Sequence, residues 1–387
     1  MDWQEVRAQF PVTEEYVFLD LANKCALPVF SVATIQDYIQ KQQRFGGDKS
    51  EWFATLEEAR ARFAQLINAH PDEIAFTKNT SEALNIAANC LPLRAGDTVL
   101  INEHEHPNNV YCWLNLERNG VKVKWIPTEG GQVTIEALEQ VLDDTTRVVS
   151  ISSTTYAPGN RNDIKRIVEF CRARGIYTVV DAVQSVGTLQ VDVQDWGADV
   201  LCTSGHKSLF CPHGVGMLYV RREMLDRMPP VYVARAGMGM AAQIEYNSIT
   251  YELDQVHSAR KFEIGNYNYL GITVLNSSLK YLLALGMNQV EARLLSLHEY
   301  LSNWLQEAGF AVISPGTESL RSAILCFRAE NAHDLHSYLM ENKVITTVRR
   351  DMIRVSLGIY NNEADIDLFI ELLRKWNPKA QGSTETA

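Results

Sequence analysis

The chain has 387 residues, of which 46% are hydrophobic and 21% are charged. That length is sufficient for two lobes with a sizeable core. Lysine and arginine together number 36 and the acidic residues 47, so the formal net charge is -11. A phosphate backbone or an anionic membrane surface repels such a chain unless a local basic patch is present, and the sequence shows none. We therefore expect neither nucleic acid nor a membrane as a partner.

The seven cysteines are scattered along the chain without CxxC spacing. This distribution is typical of reduced thiols rather than of a disulfide framework. The first residues lack a basic segment followed by an apolar one, and no stretch approaches the ~18 apolar residues of a membrane helix. These features predict a cytoplasmic protein.

Strands and helices alternate in the first two thirds of the chain. A capping-box pattern formed by Thr55 and Glu58 predicts the start of a helix that ends near residue 68. Strands are then predicted at 73–77, 97–101, 121–126, 147–152, 176–181, 199–203 and 215–220, with helices at 81–90, 108–119, 136–142 and 164–174. This alternation favours an α/β fold with a mixed, mostly parallel sheet covered on both faces. Ligands bind such sheets at the C-terminal ends of the strands.

The pattern changes after residue 270. Helices are predicted at 272–285, 290–308 and 364–376, with short strands at 323–327 and 353–357. This part favours a smaller α+β domain. The expected organisation is an N-terminal segment (1–20) that associates with the small domain, a large ligand-binding domain (21–270), the small domain (271–377) and a disordered tail (378–387).

Lys207 lies in a stretch of small and polar residues after one predicted strand, and Asp181 closes the apolar run of another. A lysine amine can form an imine with an aldehyde, and a carboxylate at a buried strand end can keep a pyridine nitrogen protonated. Pyridoxal 5′-phosphate (PLP) requires both groups. Each alone has a simpler explanation, since acids end many strands as turn residues and most lysines are solvated. Their order along the chain favours the cofactor.

Thr80 and Ser81 follow a predicted strand and open a helix. Free N–H groups and the dipole at a helix N-terminus suit a phosphate, and two hydroxyls add donors. A plain N-cap explains the same residues. Neither GxGxxG nor GxxxxGK[ST] occurs, so a dinucleotide or P-loop nucleotide site has little support.

His104 and His106 follow the strand predicted at 97–101. In an extended segment both rings lie on one face, which raises a metal site as an alternative. No third ligand has convincing spacing, and stacking on a cofactor ring explains a histidine at a strand end as well. We expect no metal.

Arg354 stands at the start of a short apolar strand. A guanidinium binds a carboxylate through two hydrogen bonds, and every amino-acid substrate carries a carboxylate. A surface ion pair is the alternative explanation.

In combination these motifs resemble the class V aminotransferase family, which includes cysteine desulfurases, selenocysteine lyases and isopenicillin N epimerase. The resemblance covers nearly the whole chain and implies a PLP-dependent transferase of fold type I. It implies that Lys207 forms the imine, that Asp181 lies at the pyridine nitrogen, that Gln184 lies near the ring hydroxyl and that His106 stacks on the ring. Implied phosphate contacts are Thr80, Ser81, Ser204, His206 and Asn266.

The segment Phe262-Glu263-Ile264-Gly265-Asn266 resembles a family motif whose last residue reaches the phosphate of the neighbouring subunit. The resemblance therefore implies a homodimer whose active site is completed across the interface. Asn266 departs from the usual threonine, and Cys211 stands where glycine commonly follows the lysine loop.

Substrate contacts are expected from Arg354, Asn23, Tyr156 and Arg161. Tyr156 occupies a position that often holds an asparagine near the cofactor hydroxyl. Arg161 is either a second anion contact or a structural partner of Asp163.

The expected substrate is a small molecule, an L-amino acid or related amine, bound to PLP as an external aldimine, with Lys207, His106 and Asp181 as catalytic residues. Amino transfer, epimerisation and C–S or β-elimination all remain open. Desulfurases carry a nucleophilic cysteine shortly before the carboxylate-binding arginine, and no cysteine follows Cys326. Sulfur mobilisation is therefore an alternative, as are a PLP-binding regulatory protein without turnover and a nucleotide-binding oxidoreductase.

Overall fold

The computed structural model describes residues 2–128, 130–239 and 253–376, and the predicted tail at 378–387 lies outside these ranges. The strands, in chain order, are β1 (Val17–Phe18), β2 (Ile74–Thr77), β3 (Thr98–Asn102), β4 (Lys122–Ile126), β5 (Thr146–Ser152), β6 (Tyr177–Asp181), β7 (Val200–Ser204), β8 (Gly216–Val220), β9 (Ile324–Arg328), β10 (Val344–Ile345), β11 (Thr347–Arg349) and β12 (Met352–Ser356). The α-helices are α1 (Trp3–Ala8), α2 (Val29–Phe45), α3 (Lys49–Leu66), α4 (Thr80–Cys90), α5 (Asn108–Leu114), α6 (Ile135–Val141), α7 (Ile164–Arg172), α8 (Val193–Trp196), α9 (Tyr269–Leu285), α10 (Met287–Glu307), α11 (Ala332–Glu341) and α12 (Glu363–Trp376).

A seven-stranded sheet in the order β2-β8-β7-β6-β5-β3-β4 forms the centre of the fold. The pairs among β4, β3, β5, β6 and β7 are parallel, while β8 runs antiparallel to both β7 and β2. The predicted mixed, mostly parallel sheet is confirmed. Each of these seven strands begins and ends within one residue of its predicted bounds.

Both faces of the sheet are buried. Successive residues of a strand point to opposite faces, so Val179 and Val180 belong to different hydrophobic clusters, as do Val200 and Leu201. Residues of α4 and α5 complete one cluster, and residues of α3, α7 and α9 complete the other. Because both faces of the sheet are buried, these strands are continuous apolar runs in the sequence.

The C-terminal part of the chain contains a three-stranded antiparallel sheet in the order β11-β12-β9. The N-terminal segment packs against this part, because β1 pairs with β10 and Arg7 forms an ion pair with Asp365 (2.7 Å). The predicted domain boundary at 270/271 falls inside α9. That helix packs on α2 and α3, so its main contacts are with helices of the predicted large domain.

The helix start predicted at Thr55 is wrong. α2 ends at Gly46, which adopts φ +79°, and Asp48 then caps α3 by accepting a hydrogen bond from Ser50 N (2.7 Å). Glycine tolerates this left-handed conformation, and an aspartate cap satisfies a free N–H group. α2 therefore ends, and α3 begins, before the capping-box pattern is reached. No single helix in the described ranges has both the length and the apolar composition of a membrane span, and α9 and α10 reach them only when joined across an 80° bend.

Candidate active site

Five strands that run in the same direction, β2, β3, β5, β6 and β7, end at one edge of the large sheet. The loops that follow them enclose a cavity of about 720 Å³. This is the edge at which a parallel sheet is expected to bind its ligand. The predicted site residues that line the cavity are Asn23, Thr80, Ser81, His106, Tyr156, Asp181, Gln184, His206, Lys207 and Arg354.

Lys207 lies in the turn between β7 and β8. The turn is held by hydrogen bonds from Gly205 N to Val215 O (2.9 Å) and from Ser208 Oγ to Val186 O (2.5 Å). Burial lowers the pKa of Lys207 to about 8; Asp181 opposes this shift, and Arg354 and Arg349 add to it. A much larger fraction of its amine is therefore neutral near pH 7 than for a solvated lysine, and a neutral amine is the nucleophile that attacks an aldehyde.

Asp181 is the last residue of β6 and is buried. Its Oδ1 accepts a hydrogen bond from Val183 N (3.0 Å), which fixes the carboxylate in the cavity wall. Burial raises the pKa of Asp181 to about 6, against the opposing effects of that hydrogen bond and of Lys207. A cationic group brought next to this carboxylate would favour its ionised form.

Thr80 opens α4 on the opposite side of the cavity. Asn79 caps the helix by accepting a hydrogen bond from Glu82 N (2.9 Å), whereas the buried Thr80 Oγ1 has no hydrogen-bond partner among the residues that the structure describes. Gly216 permits this turn to lie against β8, since a Cβ there would be 2.6 Å from Thr77 Oγ1 and 2.7 Å from Asn79 Cα. An unpartnered hydroxyl beside the first N–H groups of a helix is suited to an oxyanion.

His106 and Tyr156 form one wall of the cavity, with their rings edge to face and 5.3 Å apart. Burial lowers the pKa of His106 to about 4, with Lys207, Arg349 and Arg354 adding to the effect. The imidazole is therefore neutral in the neutral pH range, which suits a flat stacking surface better than a charged one.

Glu105 anchors the segment that carries His106. Its buried carboxylate accepts hydrogen bonds from Ser152 N (2.6 Å) and Asn109 Nδ2 (2.9 Å), which ties the loop after β3 to the end of β5. Burial raises the pKa of Glu105 to about 7. The role of Glu105 could not be predicted from the sequence, because its hydrogen-bond partners are known only once the strand order is known.

Gln184 and Asn23 connect the cavity to the N-terminal segment. Gln184 Nε2 donates to Ala22 O (3.1 Å), and Asn23 Nδ2 donates to Asp20 Oδ2 (3.1 Å). The first bond holds residues 20–23 against the loop after β6 and the second is local to these residues, so the stretch that follows β1 contributes to the cavity wall.

Arg354, in β12, is buried and only partly satisfied. Its Nη1 donates to Tyr156 O (3.0 Å), and Asp20 Oδ1 lies 3.5 Å from Nη2, while Nε and Nη2 have no hydrogen-bond partner in the described part of the chain. Burial lowers the pKa of Arg354, and Arg349 adds to the effect. Unsatisfied guanidinium donors beside a cavity are suited to a carboxylate.

Three predicted residues lie outside the cavity lining. Ser204 is behind it, where its Oγ is 3.0 Å from His206 Nδ1, and Asn266 is exposed beside a neighbouring cavity next to Lys78. Arg161 lines a different cavity, and its ion pair is with Glu291 (2.5 Å) and not with Asp163, so that alternative is wrong, while its contact with substrate stays a prediction. That carboxylate comes from α10, too distant in sequence for local pattern reasoning to find.

Three further basic side chains line the cavity and were not among the predicted site residues, namely Lys78, His213 and Arg349. His213 stacks on His206 with the ring centroids 4.6 Å apart. Lys78 and His213 each lie within a few residues of a predicted motif, so this proximity could have indicated that they line the cavity. Arg349 has no such neighbour, because it reaches the cavity only through the pairing of β11 with β12.

Comparison with known proteins agrees with the fold and with the family that the motifs resemble. The family model for aminotransferase class V matches residues 39–369. A cysteine desulfurase of Yersinia pestis is 30% identical over 411 residues, covering 96% of this chain and 97% of that protein, and an uncharacterised aminotransferase of Schizosaccharomyces pombe is 29% identical, covering 96% and 95%. The apo cysteine desulfurase of Thermococcus onnurineus superposes with a TM-score of 0.86 at 24% identity, covering 96% and 97% of the two chains.

The chain belongs to the class V aminotransferase family, and it is a PLP-dependent enzyme with fold type I. The resemblance that the motifs gave is thereby confirmed. Relatives that bear the names desulfurase and aminotransferase leave the reaction of this chain open.

Proposed function

We propose that this enzyme holds PLP through Lys207 and breaks the bond between the α-carbon and its hydrogen in an L-amino acid. The observation that carries the proposal is a single cavity in which an activated lysine, a buried aspartate, an unpartnered threonine hydroxyl and an unsatisfied arginine face one another. These are the four attachments that the cofactor and an amino-acid carboxylate require.

The described residues fit the cofactor. Thr80 Oγ1 and the first N–H groups of α4 supply donors for its phosphate, with His206 on the facing loop. Asp181 holds the proton on the ring nitrogen, and His106 supplies a neutral ring for stacking. When bound, PLP supplies an electron-accepting ring that stabilises negative charge at the substrate α-carbon.

Arg354 and Lys207 then have separate roles in the reaction. Arg354 binds the substrate carboxylate and so orients the α-carbon toward Lys207. With PLP bound, the amine of Lys207 would accept the proton from the substrate α-carbon and return it. Return to the same carbon face, to the opposite face or to the cofactor would give exchange, epimerisation or amino transfer, and departure of a β-substituent would give elimination.

The test is a screen of the purified protein for exchange of the α-hydrogen in deuterium oxide, with amino acids supplied one at a time. Exchange requires only the step shared by all these reactions, so it does not depend on which product forms. Deuterium incorporation by nuclear magnetic resonance with at least one L-amino acid is the expected result. Absence of exchange with every amino acid in a protein that carries PLP would contradict the proposal.

A homodimer remains part of the proposal. In its support, the loop with Asn266 is exposed and adjoins the phosphate side of the cavity through Lys78 and Gly214. The loop is held in place by Glu263, whose buried carboxylate pairs with Arg60 (2.7 Å) and accepts from Phe76 N (2.8 Å). A cytoplasmic location likewise stays a prediction from the sequence.

Replacing Thr80 with valine should weaken PLP binding without weakening the fold. The hydroxyl has no partner among residues 2–128, 130–239 and 253–376, so the isosteric methyl removes no hydrogen bond from this part of the apoprotein, whereas the phosphate loses one charge-assisted hydrogen bond. We expect the Kd for PLP to rise about tenfold and the Tm of the apoprotein to stay level or rise. Thr203→Val is the matched control, since Thr203 Oγ1 is also buried and unpartnered but Thr203 does not line the cavity. Equal Kd values for the two variants would count against the phosphate site.

The rate at which apoprotein captures PLP should level off near pH 8. Only the neutral amine of Lys207 attacks the aldehyde, and its pKa is lowered to about 8, so the rate rises with pH below that value and is constant above it. The measurement is stopped-flow absorbance over a pH series, divided by the rate for butylamine to remove the titration of PLP itself. The ratio should be constant below about pH 8 and fall above it, because butylamine continues to gain neutral amine up to about pH 10. A ratio that stays constant up to about pH 10, as for an ordinary lysine, would contradict the assignment. The sign follows from burial, which favours the uncharged amine.

Because some relatives are named cysteine desulfurases, release of sulfur from cysteine is a second candidate function. The thiols of this protein argue against the persulfide step of that function. None of the seven cysteines lines the cavity. Cys326 is buried in β9 opposite Arg354, and burial raises its pKa to about 12. A relay needs an exposed thiolate on a mobile loop.

Incubation with cysteine should therefore leave no stoichiometric persulfide on the protein. Tagging of persulfides followed by mass spectrometry checks this, with a sample to which no cysteine was added as the control. A persulfide on one cysteine that disappears together with activity in its serine variant would overturn the expectation.

A further inference from the structure

Arg349 and Arg354 project from the same face of the small sheet. In the antiparallel pair of β11 and β12, Thr347 lies opposite Arg354 and Arg349 lies opposite Met352. Opposite residues share a face, and residues two apart on one strand share a face. Both guanidinium groups therefore point the same way, and both line the cavity that contains Lys207.

The two arginines differ in how far the protein neutralises them. Asp20 lies 3.5 Å from Arg354, although Thr347 Oγ1 and Asn23 also donate to that carboxylate. For Arg349 the described residues include no carboxylate within ion-pair distance, and its recorded hydrogen bond is to Val348 O, the neighbouring carbonyl (3.1 Å). Two close guanidinium groups repel each other unless an anion lies between or beside them.

The cavity as a whole has an excess of positive charge. Among its lining residues the cations are Lys78, Lys207, Arg349 and Arg354, and the acid is Asp181. With Lys207 set aside as the amine that holds PLP, three cations face one carboxylate among the described lining residues, in a chain whose net charge is -11. The PLP phosphate accounts for the charge near α4, and one substrate carboxylate accounts for Arg354. No anion is yet assigned to Arg349.

We propose that Arg349 binds a second anionic group on the substrate, so that the enzyme selects amino acids whose side chain ends in a carboxylate or a comparable oxyanion. This inference rests on the proposed function for the α-carboxylate and the amine. It adds a substrate class, acidic rather than apolar or thiol amino acids. A guanidinium presents two parallel donors, the geometry that a terminal carboxylate accepts.

Direct binding of diacids tests the proposal independently of turnover. Succinate and glutarate carry both acid groups of an acidic amino acid without its amine, and succinamate and glutaramate replace one acid group by an isosteric amide. Isothermal titration calorimetry on PLP-loaded protein should give a Kd about tenfold or more lower for at least one diacid than for its monoamide. Equal values for both pairs would overturn the proposal.

Variants assign the preference to a residue. Arg349→Gln should weaken the favoured diacid about tenfold or more and change its monoamide by less than about twofold, while Arg349→Lys should keep part of the preference. Arg354→Gln should weaken both ligands. Arg328→Gln is the charge-matched control, because Arg328 is an exposed residue of the same sheet that pairs with Asp351 (3.1 Å) outside the cavity. Equal weakening of diacid and monoamide in Arg349→Gln would show only a general charge effect and would overturn the assignment.

The same samples separate this proposal from the proposed function. PLP loading is read from visible absorbance and from borohydride labelling of Lys207. If Lys207 is not labelled but the diacid preference persists and is lost in Arg349→Gln, the PLP site is wrong and the anion site stands. If Lys207 is labelled and the diacid preference is absent, the PLP site stands and the acidic-substrate proposal is wrong.

Discussion

Lys207→Ala should lose covalent PLP and nearly all turnover. Among the lysines in the described ranges, only Lys78 also lines the cavity, and it lies beside α4, where its backbone N–H donates to Glu82. No second amine is therefore placed to replace both the attachment and the proton transfer. We expect the rate of α-hydrogen exchange to fall by a factor on the order of 10⁴, measured at saturating PLP and substrate.

Lys165→Ala is the matched control for that experiment. Lys165 is exposed and pairs with Asp195 (2.6 Å) outside the cavity, so its removal should leave the exchange rate unchanged. An exchange rate in Lys207→Ala within about tenfold of that of the unmodified enzyme would contradict the role of Lys207, since general acid–base catalysis by a positioned amine contributes more than that.

Asp181→Asn should keep the fold and lose most of the rate. The amide oxygen can still accept the hydrogen bond from Val183 N, so the shape of the loop is preserved. A neutral amide does not keep the ring nitrogen protonated, and an unprotonated ring accepts charge from the α-carbon poorly. We expect kcat to fall by about 10² to 10³, with a smaller change in KM, because the lost interaction strengthens only as charge develops.

Asp199→Asn provides the contrast. Asp199 is a buried acid beside β7 that pairs with Arg221 (2.6 Å) and accepts from Thr178 N (2.8 Å), and it lies outside the cavity. Its replacement should lower the Tm and leave the rate per folded molecule unchanged. A rate for Asp181→Asn equal to that of the unmodified enzyme, in a variant that binds PLP, would refute the role of Asp181.

The strands of the large sheet could be predicted because their residues are buried on both faces and therefore form apolar runs. Asp181 and Lys207 could be found for a related reason, since each directly follows such a run. The strand order could not be predicted, because hydrogen-bond partners such as β2 and β8 are more than a hundred residues apart in sequence. The convergence of five loops on one cavity depends on that order.

Residues whose role depends on a distant partner were the ones that the sequence did not reveal. Arg161 was open between an anion contact and Asp163, and its partner is Glu291 on α10. Arg349 became visible only through its register with Met352. Thr55 and Glu58 gave a local pattern that is ordinary inside a helix, while the cap at Asp48 followed from the break at Gly46.

Borohydride reduction followed by peptide mapping tests the central claim most directly. Reduction fixes the cofactor to the amine that holds it, and mass spectrometry then identifies the labelled peptide. The account predicts one pyridoxyl group per chain, on Lys207, and none in Lys207→Ala. A label on Lys78 or any other lysine, or a protein that binds PLP with no lysine labelled, would contradict it.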